Sequence, residues 1–489
     1  MDFLDPKKRK AHRVKLFIGY WLMAIALTFA SIILLYQSYG YDYDPQTGQI
    51  VQNGLIFISA HPDGANARLN GESKGRTDLR LDVAAGDYSL ELKEPGYRDW
   101  KRNFYLEGGS IERFAYPFLF PTNLETSDTQ NYAANPGLVT QSPNRDIIVV
   151  QQPGGFQRFD LVDVSGDTAK TSVLSLPVGL LVAAGATHQL ELVEWSTDNR
   201  HFVLKHTHDG GAEFAVIDIE APANSVNLST TFGVPFTNLA LRDKKFDQYY
   251  LYNQPAQTLH SARLDAAAPV LYQGDVLAFR PHGADEVTFI TAAGASEGKV
   301  LLKIREGAES YTVREIAAGS RYVVDLARFG SSWYLAAGSA EENKVYLFKD
   351  PVATIKRGRD KLPLPVAILR TPGATDYISF SANTRFIAAQ SGNHFAVYDA
   401  ETDRQYRYDS GLGLPPGQKI GWMDGHRLAT VVNGQTTVFD YDGTNKQTLT
   451  AALNGYQPLF DNSYEALFTL SPSAKADGTP ALVRTELRL

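Results

Sequence analysis

Beyond residue 132 the sequence repeats itself loosely, and this repetition limits the fold more than anything else in the chain. Each copy has a short strand ending in a polar turn, a strongly apolar strand, and a further strand that often ends in aspartate. The clearest copies are "VTQSPNRDIIVVQQPGGFQRFDLVDV", "VEWSTDNRHFVLKHTHDGGAEFAVIDIE", "YISFSANTRFIAAQSGNHFAVYDAET" and "IGWMDGHRLATVVNGQTTVFDYDGTNKQTLT". Weaker copies begin near Leu241, Leu277, Val323 and Tyr456. Eight units at a mean spacing of about 45 residues match the length of a four-stranded blade. The expected fold over 121–489 is therefore a β-propeller of eight blades, with seven as the alternative. The last copy ends at "ALVRTELRL", which supplies only a third strand. Its fourth must come from ahead of the first copy, around Phe118 to Thr129, and joining the two ends in this way removes exposed sheet edges.

Composition agrees with a mainly β protein of more than one domain. In 489 residues there are 40 Gly, 25 Tyr and 25 Phe against 3 Met, a balance that favours strands and turns. There is no cysteine. Disulfides, thiolate metal sites, a cysteine nucleophile and a lipid-modified cysteine are all excluded. Net charge is −7, and six of the 47 basic residues stand in the first fifteen positions. The acidic surface that remains argues against nucleic acid as a partner and against general adhesion to anionic lipid.

"LFIGYWLMAIALTFASIILLY", Leu16 to Tyr36, contains no charge. As a helix it spans roughly 31 Å, about the hydrocarbon thickness of a bilayer. Lys7, Lys8, Arg9, Lys10, Arg13 and Lys15 precede it, and the next basic side chain is Arg68. The positive-inside rule then places residues 1–15 as a basic tail in the cytoplasm, 16–36 across the cell membrane, and all that follows outside. Tyr20 and Trp21 at one end, and Tyr36, Tyr39, Tyr41 and Tyr43 at the other, suit interfacial belts. A signal peptide cut after "TFA" is the alternative, but it would leave "SIILLY" at a new N-terminus.

After a linker over 37–53, residues 54–120 alternate apolar and polar positions in "LIFIS", "DLRLDV", "DYSLELKE" and "WKRNFYLE", separated by the turn signals "PDG", "NG" and "AGD". The expectation is a small β-sandwich. "ISAHPDGANARLNGESKGRTDLRLDVAAGDYSLELKEPGYRDW" resembles the PEGA domain through Ser59, Pro62, Asp63, Gly64, Ala65, Asn70, Gly71, Gly75, Thr77, Gly86, Tyr88, Gly96 and Tyr97. It departs from that pattern in Asp63 for glutamate, in one extra residue between Ser59 and Pro62, and in Asp78 where proline is usual. The resemblance implies a fold and a cell-surface setting, and no catalytic residues. The eight repeats in turn resemble WD-repeat-like β-propellers of bacterial envelope proteins, with Trp195-Ser196-x-Asp198 and the strand-ending Asp218, Asp399 and Asp440 in the places such a fold implies. The paired Gly-His and Trp-Asp signatures are absent.

Four stretches gather candidate chemistry. "SAHPDGANARLNG", Ser59 to Gly71, holds serine, histidine and aspartate together, yet backbone needs explain the order: Pro62 fixes φ, Gly64 relaxes it and Asp63 can bond the turn, leaving His61 over. "KHTHDGG", Lys205 to Gly211, puts His206 and His208 on one strand face with Asp209 at the turn, a set that could hold zinc; the plainer reading is a hairpin with solvated histidines. "DYDGTN", Asp440 to Asn445, has alternating oxygen ligands but lacks the distal glutamate of a calcium loop, and reads as a turn. "IKRGRDK", Ile355 to Lys361, reads as a solvated basic loop able to meet an anionic polymer. No nucleophile elbow, phosphate loop or zinc-protease motif occurs. The expectation is a single-pass extracytoplasmic scaffold without catalytic residues, cofactor or metal, whose partner is an envelope protein or cell-wall polymer; an enzyme acting on envelope glycans or peptides and a lectin-like glycan binder are the alternatives.

Overall fold

The apolar run lies within a single helix, α1, from Pro6 to Ser38. From Arg9 to Ser38 the helix is exposed along its length, and its most apolar stretch of eighteen residues has a mean hydropathy of 2.2, which makes it long and apolar enough to cross a membrane. Two of its hydroxyls are bonded within the helix: Thr28 Oγ1 donates to the Ala24 carbonyl at 2.8 Å and Ser38 Oγ to that of Leu35 at 2.7 Å. In hydrocarbon an unbonded hydroxyl would cost several kcal/mol. This computed structural model describes residues 6–38, 40–44, 48–166, 168–358, 362–473 and 478–489. Residues 1–5 of the basic tail and the side chains of Lys7 and Lys8 lie outside the described residues, as do Arg359, Asp360 and Lys361 of the basic run.

The chain divides into two units, 1–123 with 488–489, and 124–487. In the first, two four-stranded sheets form. One joins β1 (Tyr41–Asp44), β2 (Gln49–Ile58) and β5 (Leu79–Ala84), with β8 (Ile111–Phe114) parallel to β2; the other runs β4 (Glu72–Arg76), β3 (Asn66–Leu69), β6 (Gly86–Lys93), β7 (Trp100–Leu106). The alternation read from the sequence sends Ile56, Ile58, Leu90, Leu92 and Trp100 inward, all buried, and Ala67 and Leu69 of β3, outside the alternating segments read there, join them. Trp100 packs edge-on to Phe114 and Tyr116, with centroids 6.1 and 5.8 Å away. At Gly54 any Cβ would fall 2.8 Å from Leu106 Cγ and 2.9 Å from the Glu107 carbonyl, so β2 passes there only as glycine. The stretch expected as a linker carries β1 and the start of β2, because Tyr41–Asp44 pairs antiparallel with Gln49–Gln52.

The second unit is a succession of eight four-stranded antiparallel sheets, consistent with the blades of a β-propeller. We number them I to VIII: 139–175, 188–227, 238–273, 278–317, 322–370, 377–409, 421–451, and 459–486 completed by β9 (Thr126–Asn131). β9 pairs with Pro480–Glu486, so the last sheet takes its fourth strand from the segment before the first. This strand lies a few residues later than expected, since Phe118 and Pro121 bridge to His61 and Tyr97 of the first unit. Neighbouring sheets share cores. Val149 and Phe159 of sheet I meet Trp195 and Phe202 of sheet II. Ile148, Val150 and Val162 on the opposite face of sheet I meet Phe468, Leu470 and Leu482 of sheet VIII. From sheet II to sheet VI the first strands of successive sheets lie against one another.

The recurring polar turn joins the first and second strands. Arg145, Asn199, Thr384 and Tyr464 all have φ near +60° at its corner. Ser142 Oγ accepts the Ile147 N–H and Ser381 Oγ the Phe386 N–H, each at 3.0 Å, repeating one solution in sheets I and VI. The aspartates that close the third strands are buried clamps. Arg200 reaches Asp218 with Nε and Nη2 at 2.7 and 2.6 Å, and Arg385 reaches Asp399 at 2.8 and 2.6 Å. Burial alone would raise the Asp218 carboxyl, but Arg200 and the N–H groups of Ala221 and Glu220 hold it down at about 2.

Candidate functional site

In the Ser59–Gly71 stretch the polar groups serve the backbone. Thr77 Oγ1, buried, accepts the N–H of Gly64 at 3.0 Å and of Ala65 at 3.1 Å. The bond expected from Asp63 is thus made by a threonine fourteen residues on, while Asp63 itself is exposed. The reason is that β4 folds back beside the turn, and the residue that follows it brings a buried hydroxyl where Asp63 is exposed. Asn70 and Gly71 take φ of 50° and 85°, and Asn70 Oδ1 accepts the Ser89 N–H at 2.8 Å, tying the turn to β6. Gly75, Gly86 and Gly96 also have positive φ. Tyr88 donates to the Ala84 carbonyl at 2.6 Å. His61 is positioned through its main chain, bonded to Pro117 and Leu119, and its ring stacks on Phe118 at 4.8 Å.

The Lys205–Gly211 stretch behaves otherwise. The strand Gly211–Asp218 returns antiparallel to His201–His208, which places Glu213 opposite His206. His206 is fully buried rather than solvated. Its Nδ1 lies 2.8 Å from Glu213 Oε1 and its Nε2 lies 3.0 Å from Nδ1 of His188, on the neighbouring strand. Glu213 also accepts the Val182 N–H at 2.7 Å and the Asn227 side-chain amide at 2.6 Å. Burial would raise the Glu213 carboxyl, but these bonds, led by that from His206, hold it below its ordinary value. A carboxylate there requires His206 Nδ1 to donate. With both rings neutral, His206 Nε2 then accepts from His188 Nδ1. Phe156 stacks on His188 at 3.9 Å and on His206 at 4.9 Å, fixing both ring planes.

His188 opens onto a cleft of about 680 Å³ whose wall comes mostly from the loop between the second and third strands of sheet I, with Gln151, Gln152, Phe156 and Arg158. Gln151 is 7% exposed; its Nε2 donates to the Gly155 carbonyl at 2.8 Å, while its Oε1 has no hydrogen-bond partner among the described residues. A buried carbonyl left this way costs about 1–3 kcal/mol, so a hydroxyl or amide donor entering the cleft would be favoured there. Amide groups, one exposed guanidinium and stacked rings form a surface for hydrogen-bonding ligands.

Sequence reasoning missed His188, Glu213, Gln151 and Arg158. One signal for Glu213 was present: a two-residue turn at Asp209-Gly210 pairs 208 with 211 and hence 206 with 213. His208 lies on the same face as His206, with rings 5.3 Å apart, but Asp209 is turned to the N–H groups of Ala186 and Thr187 at 2.7 and 3.4 Å. Among the described residues no group of three histidine or carboxylate side chains is arranged to hold a metal ion. "DYDGTN" is a turn, in which Asp442 accepts from Thr444 at 2.7 Å. The basic run begins not as a loop but as a short helix, Pro351–Arg357, where Lys356 pairs with Glu306. In Trp195-Ser196-x-Asp198, Asp198 accepts the N–H groups of Arg200 and His201, each at 3.0 Å, and bonds the His201 ring at 2.7 Å.

No curated protein matches the chain. Among solved structures, the chain is similar to an uncharacterized protein of Listeria monocytogenes at 12% identity, over 66% of this chain and 90% of that one, with a TM-score of 0.40. Kluyveromyces lactis Hsv2p is 12% identical over 66% of this chain and all of its own, with a TM-score of 0.42. A eukaryotic initiation factor is 12% identical over 74% and 91%, also at 0.42. Residues 53–117, the sandwich of the first unit, match the PEGA domain.

Proposed function

We propose that the chain is a membrane-anchored, non-catalytic scaffold of a bacterial cell envelope. In this reading α1 crosses the membrane with its basic flank in the cytoplasm, the PEGA-type sandwich acts as stalk, and an eight-bladed propeller is the binding platform outside. The observation that carries it is the order of parts along one chain: an exposed apolar helix with basic residues on one flank only, a PEGA match, and eight sheets whose last is completed by a strand from before the first. A propeller built this way leaves its loops free to bind. Protease added to intact cells should remove 124–487 and spare an N-terminal tag; protection of the second unit with loss of the tag would reverse the orientation.

A second reading, glycan binding, is supported by the cleft beside His188. Amides and stacked rings suit a polyhydroxylated chain, and the unbonded Gln151 Oε1 calls for a donor. Incubating the full chain with cell-wall glycan separates the readings. Retention without cleavage supports a binder, release of fragments an enzyme whose base is His188, and retention of an envelope protein alone the plain scaffold.

A further inference from the structure

At the inner strands of sheets III to VII, cations from three different repeats line one cavity of about 540 Å³. Lys244 follows the first strand of sheet III, Arg280 lies in that of sheet IV, and Lys419 immediately precedes that of sheet VII. Two carboxylates stand near them. Asp325 accepts from Arg280 Nε at 3.0 Å, and Glu194 pairs with Lys244 while also accepting the Leu241 N–H at 2.8 Å. Lys419 has no carboxylate partner among the described residues; its ammonium stands 5.9 Å from the ring centre of Tyr377. The terminal nitrogens of Arg280 likewise have no hydrogen-bond partner among the described residues, which leaves one edge of the guanidinium fork open.

The site thus keeps an excess positive charge within a unit of 31 basic and 40 acidic side chains. Holding cations together this way is unfavourable. All three cations stay partly exposed at the mouth of the cavity, yet desolvation by its walls, and then the presence of Arg280, lowers the Lys244 ammonium, and desolvation lowers that of Lys419. A cavity of this volume falls in the range of small-molecule sites, and low-dielectric walls focus the field of charges that line it. Beside the cations stand His282 and Trp422, the latter fixed by a 3.0 Å bond from Nε1 to Ser379 Oγ.

We infer that this cavity binds a small polyanion through carboxylate or phosphate groups, with Lys419 and the open edge of Arg280 as its principal contacts. This binding is separate from the cleft beside His188 and does not rest on the scaffold reading. The test is calorimetric titration of the full chain in detergent micelles with citrate and with pyrophosphate, at low and at high salt. Saturable, salt-weakened binding of either anion is expected, and the anion that binds identifies the group recognised. Lys419→Glu should weaken binding by at least about tenfold. Lys299→Glu, the same charge change at an exposed site on sheet IV, should leave it within about twofold. Unchanged near-ultraviolet dichroism certifies each variant as folded; should Lys419→Glu fail this check, Lys419→Gln replaces it with the same expectation. Absence of saturable heat with both anions at low salt overturns the inference, as does equal weakening by the substitutions at Lys419 and Lys299.

Discussion

His61 and His206 stand in two stretches of nearly the same composition, each a histidine close to an aspartate and a glycine turn, and the fold uses them in opposite ways. Around His61 the main chain is what matters: its N–H and carbonyl are bonded to Pro117 and Leu119, and a distant hydroxyl, Thr77, holds the turn. Around His206 the side chain is what matters, locked between Glu213 and His188 inside the second unit. The residue types in a short stretch do not distinguish these outcomes. What lies opposite the histidine across the strands does.

The contrast can be broken by measurement. The largest effect is expected from His206→Ala, which leaves the buried Glu213 carboxylate without its main partner and should cost about 3–5 kcal/mol. Local hydrogen exchange over the two hairpin strands would report it, since global unfolding of a two-unit chain is not a single transition. A cost no greater than that of His61→Ala would show that the two histidines are equivalent after all. Thr77→Val removes the hydroxyl acceptor of the Ala65 N–H, while the Gly64 N–H keeps the Thr77 carbonyl at 3.2 Å, and should cost about 1–2 kcal/mol, seen as lost exchange protection at Ala65.

Acid gives a sharper comparison. Glu213 has a lowered carboxyl pKa in the folded chain, so its contribution is fully present above the ordinary carboxylate range and is lost as pH falls through the lowered value. The exchange protection of the hairpin should therefore fall in acid in the native protein, and much less so in Glu213→Gln, while the turn held by the Thr77 hydroxyl should not respond. The smallest effect belongs to His61→Ala, about 1 kcal/mol from the lost stacking on Phe118, with binding functions intact. Loss of function in a folded His61→Ala protein would return the Ser59–Gly71 stretch to the list of sites.

Much of the architecture was legible in advance, for reasons that are local. An uncharged run the length of a bilayer specifies a helix, alternation specifies which face of each sandwich strand is buried, and Asn70-Gly71 specifies its turn by the φ values it tolerates. The eight repeats and the missing fourth strand of the last one were legible because each sheet re-uses one pattern and an open edge is unfavourable. The misreadings were also local in origin. Tyr41–Asp44 is too short a run to announce a strand until Gln49–Gln52 pairs with it, and the segment ending at Arg357 is too charged to announce a helix.

The sequence by itself determined the apolar helix, the alternating sandwich strands and the run of repeated sheets, in that order, because periodicity, turn chemistry and apolar length act over a few residues. Tertiary structure alone decided which polar groups meet. His188 reaches His206 through the pairing of neighbouring strands, Gln151 loses a partner by the way a loop folds, and Lys244, Arg280 and Lys419 converge because the first strands of separate repeats line one cavity. No periodicity encodes those meetings. They follow from packing sheets side by side, which brings together residues that nothing in the chain's local order connects.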